Sequence, residues 1–145
     1  MQFDLWDTAG QEKYRSISMI FYKDAKIAIL VYDITRRETF EQIKEYWYKQ
    51  VKESSTSDII IAVVGNKCDL FDKEQVKEEE GKEFSNQIGA IFKSTSCFHN
   101  VGIQELFKDI GIKFLNSNFS DDTTGKNKNL KIGGGGSGKN KKKCC

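Results

Sequence analysis

Two stretches of the chain are apolar on both faces, KIAILVYD over Lys26–Asp33 and the run IIIAVV between Asp58 and Gly65. Without the alternation of a half-exposed strand, they predict strands buried between two helical layers. Phe3 and Leu5 alternate with polar neighbours just ahead of WDTAGQE (Trp6–Glu12), and Ala90–Phe92 opens a shorter run that ends in Ser94, Thr95, Ser96 and Cys97. Each predicts a further strand feeding a loop. Helical periodicity fills the intervals: Phe40, Ile43, Trp47 and Val51 recur at three- and four-residue spacing, behind a capping-box pattern of Thr35 and Glu38. Val76–Ile88 reads as a charged surface helix anchored by Phe84 and Ile88, and Ile103, Leu106, Phe107, Ile110 and Phe114 mark the cleanest amphipathic helix. Lys13–Asp24 keeps no sustained period and reads as a loop with a short helix.

Strands alternating with helices predict an α/β fold, a mostly parallel sheet with helices on both faces. In such sheets ligands bind at the carboxyl ends of the strands. Asp7, Asn66 and Ser96 each lie just past a different strand, so three separated motifs converge on one rim. Beyond Asn116 the pattern collapses into Asp, Thr, Asn, Gly and Lys. The expected division is therefore a folded part over 1–116 and a disordered basic tail over 117–145, with too few apolar residues to bury.

Composition narrows the class. The 145 residues suit one domain. Two of the four cysteines, Cys68 and Cys97, sit in apolar contexts and the other two end the chain, which argues against a disulfide framework. No run approaches a membrane span and no signal-peptide pattern opens the chain, so it reads as a cytosolic product. Charge is unevenly spread: residues 1–120 carry 16 Lys or Arg against 19 Asp or Glu, and 121–145 carry 7 against 2. A basic tail of this kind suits an anionic surface, lipid or nucleic acid.

In WDTAGQE, an acid at a strand end (Asp7) can hold a magnesium ion, Gly10 lets backbone approach a phosphate, and Gln11 can orient a water. Together with VYDIT (Val31–Thr35), GNKCD (Gly65–Asp69), TSC (Thr95–Cys97), FYKDA (Phe21–Ala25) and a terminal Cys-Cys, the chain resembles the Rab family of small GTPases over residues 2–115 and the last two positions, the endosomal branch most of all. The resemblance implies a P-loop NTPase fold, GTP or GDP and Mg²⁺ as ligands, and a membrane-anchored switch in vesicle trafficking.

The same resemblance distributes roles. Asp69 would accept from the ring N–H and exocyclic amine of guanine, a donor pair that adenine lacks. Asn66 would contact the base and tie the loops, the Lys67 stem would pack along the ring, and Ser96 and the Cys97 N–H would complete the base site. Phe98 stands where the family carries lysine; it either stacks on the base in its place or packs elsewhere. Asp7 would hold magnesium through water, the Gly10 N–H would meet the terminal phosphate, and Gln11 would position the attacking water. Trp6 and Phe21 are either core residues or part of an aromatic surface that effectors read. His99 has no metal-ligand partner at suitable spacing and receives no role.

Cys144 and Cys145, behind KNKKK, would both be geranylgeranylated, and two chains beside a lysine cluster anchor stably. Lipid is then the tail's target rather than nucleic acid. The implied partners are an exchange factor, a GTPase-activating protein, effectors, a prenylation escort and a dissociation inhibitor. The implied location is the cytoplasmic face of endomembranes.

One part of the family pattern is not found ahead of WDTAGQE: the loop G-x-x-x-x-G-K-[ST] that cradles phosphates. The near match from Gly133 to Lys139 ends on Asn140 where a hydroxyl is needed, with neither a strand before it nor a helix after it. The expectation is that the family's first strand, first helix and second strand fall outside this chain. Phe3–Leu5 and Lys26–Tyr32 would then lose the strand between them, and the isolated chain should be weakly stable or rearranged. Two readings stay open: the C-terminal part of a Rab-type GTPase, or a non-catalytic fragment that competes for effectors or prenylation machinery. A flavodoxin-like binding domain shares the alternation but gives no reason for NKCD or the terminal cysteines.

Overall fold

A computed structural model describes residues 2–7, 25–55 and 59–121, with side chains to Ser117. Its frame is a sheet of three parallel strands in the order β1-β2-β3: β1 (Ile27–Asp33), β2 (Ile60–Asn66) and β3 (Ile91–Thr95). Ile27 pairs with Ile60 and Asp33 with Asn66 at the two ends of the first ladder, and Ala62–Ile91 through Asn66–Thr95 make the second. The register brings Asp33, Asn66 and Thr95 level at the carboxyl ends, which is how three loops come to share a rim.

One face carries most of the core. Ala28, Leu30 and Tyr32 of β1 and Ile61 and Val63 of β2 meet Phe40, Ile43, Val51 and Phe84 from the helices above. These helices are α1 (Arg37–Gln42), a π-helical turn over Ile43–Trp47, α2 (Tyr48–Ser54) and α3 (Glu78–Gln87). The expected stripe of Phe40, Ile43, Trp47 and Val51 is present, with Trp47 partly buried at its margin. The opposite face packs Ala62 and Val64 on Leu106 and Ile110 of α4 (Ile103–Asp121), with Phe3, Ile27, Ile29 and Ile91 at the edges. Helices therefore cover both faces, as the α/β reading requires.

Packing is closest around Tyr32. A methyl group on Gly65 or Gly81 would run into its ring or hydroxyl, and at Gly81 also into Phe92, so only glycine lets α3 come this near the sheet. The Tyr32 hydroxyl is buried with no hydrogen-bond partner among the described residues, and burial, then the nearby Glu78, Glu80 and Glu74, push its pKa up to about 12.

Several expectations are corrected. Phe3–Leu5 forms no strand: Gln2–Asp7 is unpaired with the sheet, Leu5 is 69 % exposed, and only the Phe3 ring packs inward, 5.6 Å from that of Phe107. Among the described residues no strand lies along the outer edge of β1 to receive it. The capping box of Thr35 and Glu38 does not form either. Asp33 claims the Thr35 N–H and hydroxyl at 2.8 and 2.7 Å, the helix begins at Arg37, and Glu38 pairs with Arg36 instead. A reciprocal contact of that kind appears at α3, where the Glu80 carboxylate accepts the Lys77 N–H at 3.1 Å. Finally α4 continues to Asp121, past the boundary expected at Asn116.

Candidate functional site

The rim is built by two loops that follow β2 and β3. After Asn66 the chain turns through Lys67, which takes the left-handed conformation at φ 67°, and enters a 3-10 helix over Cys68–Lys73. After Thr95 a tight loop is closed by reciprocal backbone bonds between Ser96 and Val101, each 3.0 Å, with Asn100 also at positive φ. Positive φ costs a non-glycine residue about 1 kcal/mol or more, so both turns must be held by their surroundings.

They are held by each other. The buried Ser96 hydroxyl donates to Asp69 Oδ1 at 2.5 Å and accepts the His99 N–H at 3.1 Å. Thr95 Oγ1 donates to Asn66 Oδ1 at 3.2 Å. The Ser96 bond, helped by His99 and Lys67 nearby, holds the Asp69 carboxyl below its ordinary range, so it stands ready as an ionised acceptor at neutral pH. Asn66, Lys67, Asp69 and Ser96, predicted from separated motifs, are thus brought together. Cys97 is exposed with a free thiol one residue further on, and Phe98 is 85 % exposed with its ring edge-on to His99. Phe98 does not pack into the core.

The other half of the expected site is described only in part. Asp7 is exposed, and Trp6 is 74 % exposed. Gly10, Gln11, Phe21, Cys144 and Cys145 lie outside the described residues. Among the described residues no group of three or more His, Cys, Asp or Glu could hold a metal ion by itself. A single carboxylate suits Mg²⁺, which keeps most of its waters and draws on ligand phosphates.

A match to the Ras family model extends over residues 1–116. The chain belongs to the Ras family. Its similar relatives are Ras-related Rab proteins: human Rab-22A is 42 % identical over 109 residues, which cover 75 % of this chain and 56 % of Rab-22A. Dog Rab-22A is 38 % identical over 125 residues, 86 % of this chain and 64 % of the relative, and mouse Rab-31 is 41 % identical over 109 residues, 75 % and 55 % respectively. The chain spans between about half and two thirds of these relatives' length. The Ras-family match and the three-stranded parallel sheet agree on the P-loop NTPase fold class expected from the strand and helix order.

Two rim residues carried no role in the motif reading. Thr95 opens the TSC motif, and it also fixes the Asn66 side chain. Asp33 ends an apolar run and lies within VYDIT, and its Oδ2 meets Lys67 Nζ at 2.6 Å. Its place at the end of a buried strand, level with Asn66, was the available signal.

Proposed function

We propose that this chain carries the guanine-recognition half of a Rab-type GTPase, a switch that binds GTP or GDP with Mg²⁺, hydrolyses GTP slowly and acts in vesicle trafficking. The observation that supports it most directly is the ionised Asp69 held by buried Ser96, beside Asn66. An anionic acceptor meets guanine's two adjacent donors, and discrimination against adenine follows from leaving that acceptor unpaired.

In the same reading Asp7 holds magnesium through water, the Gly10 N–H contacts the terminal phosphate and Gln11 orients the attacking water. No strong base is among them, so turnover is slow. An arginine inserted by a GTPase-activating protein accelerates it about 10⁵-fold, the value for Ras itself carried over to this chain. An exchange factor, effectors that read an aromatic surface including Trp6 and Phe21, a prenylation escort and a dissociation inhibitor complete the cycle. The basic tail that follows α4 tethers the domain to the cytoplasmic face of endomembranes through lipidated Cys144 and Cys145. No helix among the described residues is long and apolar enough to cross a membrane.

The test is base selectivity. Titration of the purified chain with GDP and with ADP should show a preference for GDP of about tenfold or more, since a site built for a donor pair rejects a ligand without it. Equal affinity for the two overturns the reading.

A further inference from the structure

Lys67 is the least comfortable residue of the rim. It carries a side chain at φ 67° and ψ 35°, no side chain caps the 3-10 helix that begins after it, and its direction decides where Asp69 points two residues later. Something outside the loop has to hold it. The Lys67 ammonium reaches back across the sheet end to Asp33 Oδ2, at 2.6 Å.

Asp33 is itself immobilised. Its backbone is level with Asn66 in the β1–β2 ladder, and the Asn66 carbonyl accepts the Ile34 N–H at 3.1 Å. Its Oδ1 accepts from the Thr35 N–H at 2.8 Å and the Thr35 hydroxyl at 2.7 Å. The Asp33 N–H donates to Thr39 Oγ1 at 3.0 Å, which ties the strand end to α1. The carboxylate is only 13 % exposed while the Lys67 side chain is 51 % exposed, so the anchored partner is the acid and the held partner the lysine. Burial opposes ionisation of Asp33, but Lys67 and the two Thr35 donors outweigh it and keep the carboxyl below its ordinary range. With its ammonium fixed at one end and its backbone at the other, the Lys67 methylene stem is confined between the turn and the end of β1.

We propose that Asp33 is a positioning residue for nucleobase recognition: through its ion pair with Lys67 it fixes the left-handed turn that aims Asp69, and it lays the Lys67 stem where a planar base can rest. This rests on the guanine reading above. Asp33 touches no ligand, so its effect passes entirely through Lys67. That gives it a signature different from a general contribution to folding.

The experiment is a double-mutant cycle on the full chain, read by titration with GDP and with ADP. D33N should weaken GDP binding about fivefold or more and ADP binding by less, because both bases lose the Lys67 stem but only guanine loses a correctly aimed Asp69, narrowing the preference between them. K67A should weaken GDP as well, and D33N added to K67A should cost less than about twofold more. Should D33N fail to fold, T35V carries the same cycle, because it removes a hydroxyl that fixes Asp33 without touching the ion pair. A loss of about threefold in GDP affinity that vanishes in the K67A background is then expected. GDP affinity unchanged in D33N, or in T35V where that variant is used, or losses that multiply with K67A, overturn the role of Asp33 while leaving the parent's guanine preference in place. A parent chain that prefers neither nucleotide overturns both.

Discussion

Gln2–Asp7 and the stretch from Ile60 to Asp69 have the same design in sequence, apolar residues leading into a polar motif, yet they end in different states. Ile60–Asn66 pairs on both sides, is buried through Gly65, and delivers Asn66 and Asp69 to partners on a neighbouring loop. Gln2–Asp7 joins no ladder with the described strands and leaves Leu5 and Trp6 exposed, with Phe3 seated against Phe107. The difference lies in neighbours rather than in propensity. A strand has no hydrogen bonds of its own to satisfy, so its pattern becomes structure only where a partner edge is present.

The comparison can be pressed from both sides, most forcibly at the packed core. Phe40→Ala empties a buried site against Tyr32 and Phe84, whose rings lie 4.8 and 6.0 Å away, and should cost about 3–5 kcal/mol in denaturant unfolding. Because the strands beneath it carry the rim, guanine selectivity should be lost in the same transition. Asp69→Asn keeps the shape and the acceptor for Ser96 but removes the charge. It should lower GDP affinity about tenfold or more, measured by titration, with little change in melting. Tyr32→Phe deletes a buried hydroxyl that has no hydrogen-bond partner among the described residues, and should raise stability by about 1 kcal/mol.

A smaller effect is expected at the link between α1 and α3. Arg37, then the Lys77 N–H, lower the Glu80 carboxyl to about 2. A lowered pKa means stability that is complete above the unfolded value near 4.5 and is lost as pH falls from there through about 2. Both side chains are well exposed and screened by solvent, so the effect on stability is small. Arg37→Gln should flatten the acid limb of a stability-against-pH profile between those values. Least of all should follow from Leu5→Ser, which should shift the melting free energy by less than about 0.5 kcal/mol. A larger loss would show that Gln2–Asp7 is bound to the body more tightly than its exposure indicates.

Much of the rim was legible before any coordinates, because NKCD and TSC are local motifs whose chemistry depends on residue type and on lying past a buried strand. β1 and β2 were legible for a related reason: an unbroken apolar run has little choice but to be buried. What escaped depended on competition and distance. Thr35 and Glu38 spell a capping box, but Asp33 stands two residues away and takes both Thr35 donors first. The Val76–Ile88 pattern gives no sign of the close approach at Gly81, because Tyr32, which comes near it, lies on a strand far back in the chain. The pairing of Asp33 with Lys67 belongs to the same class, since only the sheet register makes the two adjacent. The extension of α4 to Asp121 was missed because polar residues can prolong an established helix without adding to its apolar stripe.

The wholly parallel sheet has a consequence in time. Ile27 meets Ile60, and Ala62 meets Ile91, only after the intervening helix has emerged and folded back, so neither ladder can begin as a hairpin. During synthesis neither of these ladders can form until β2 leaves the ribosome, and loop closure rather than local zipping sets the pace of their assembly. The strand that orders the finished rim is therefore also the one on whose arrival both ladders wait.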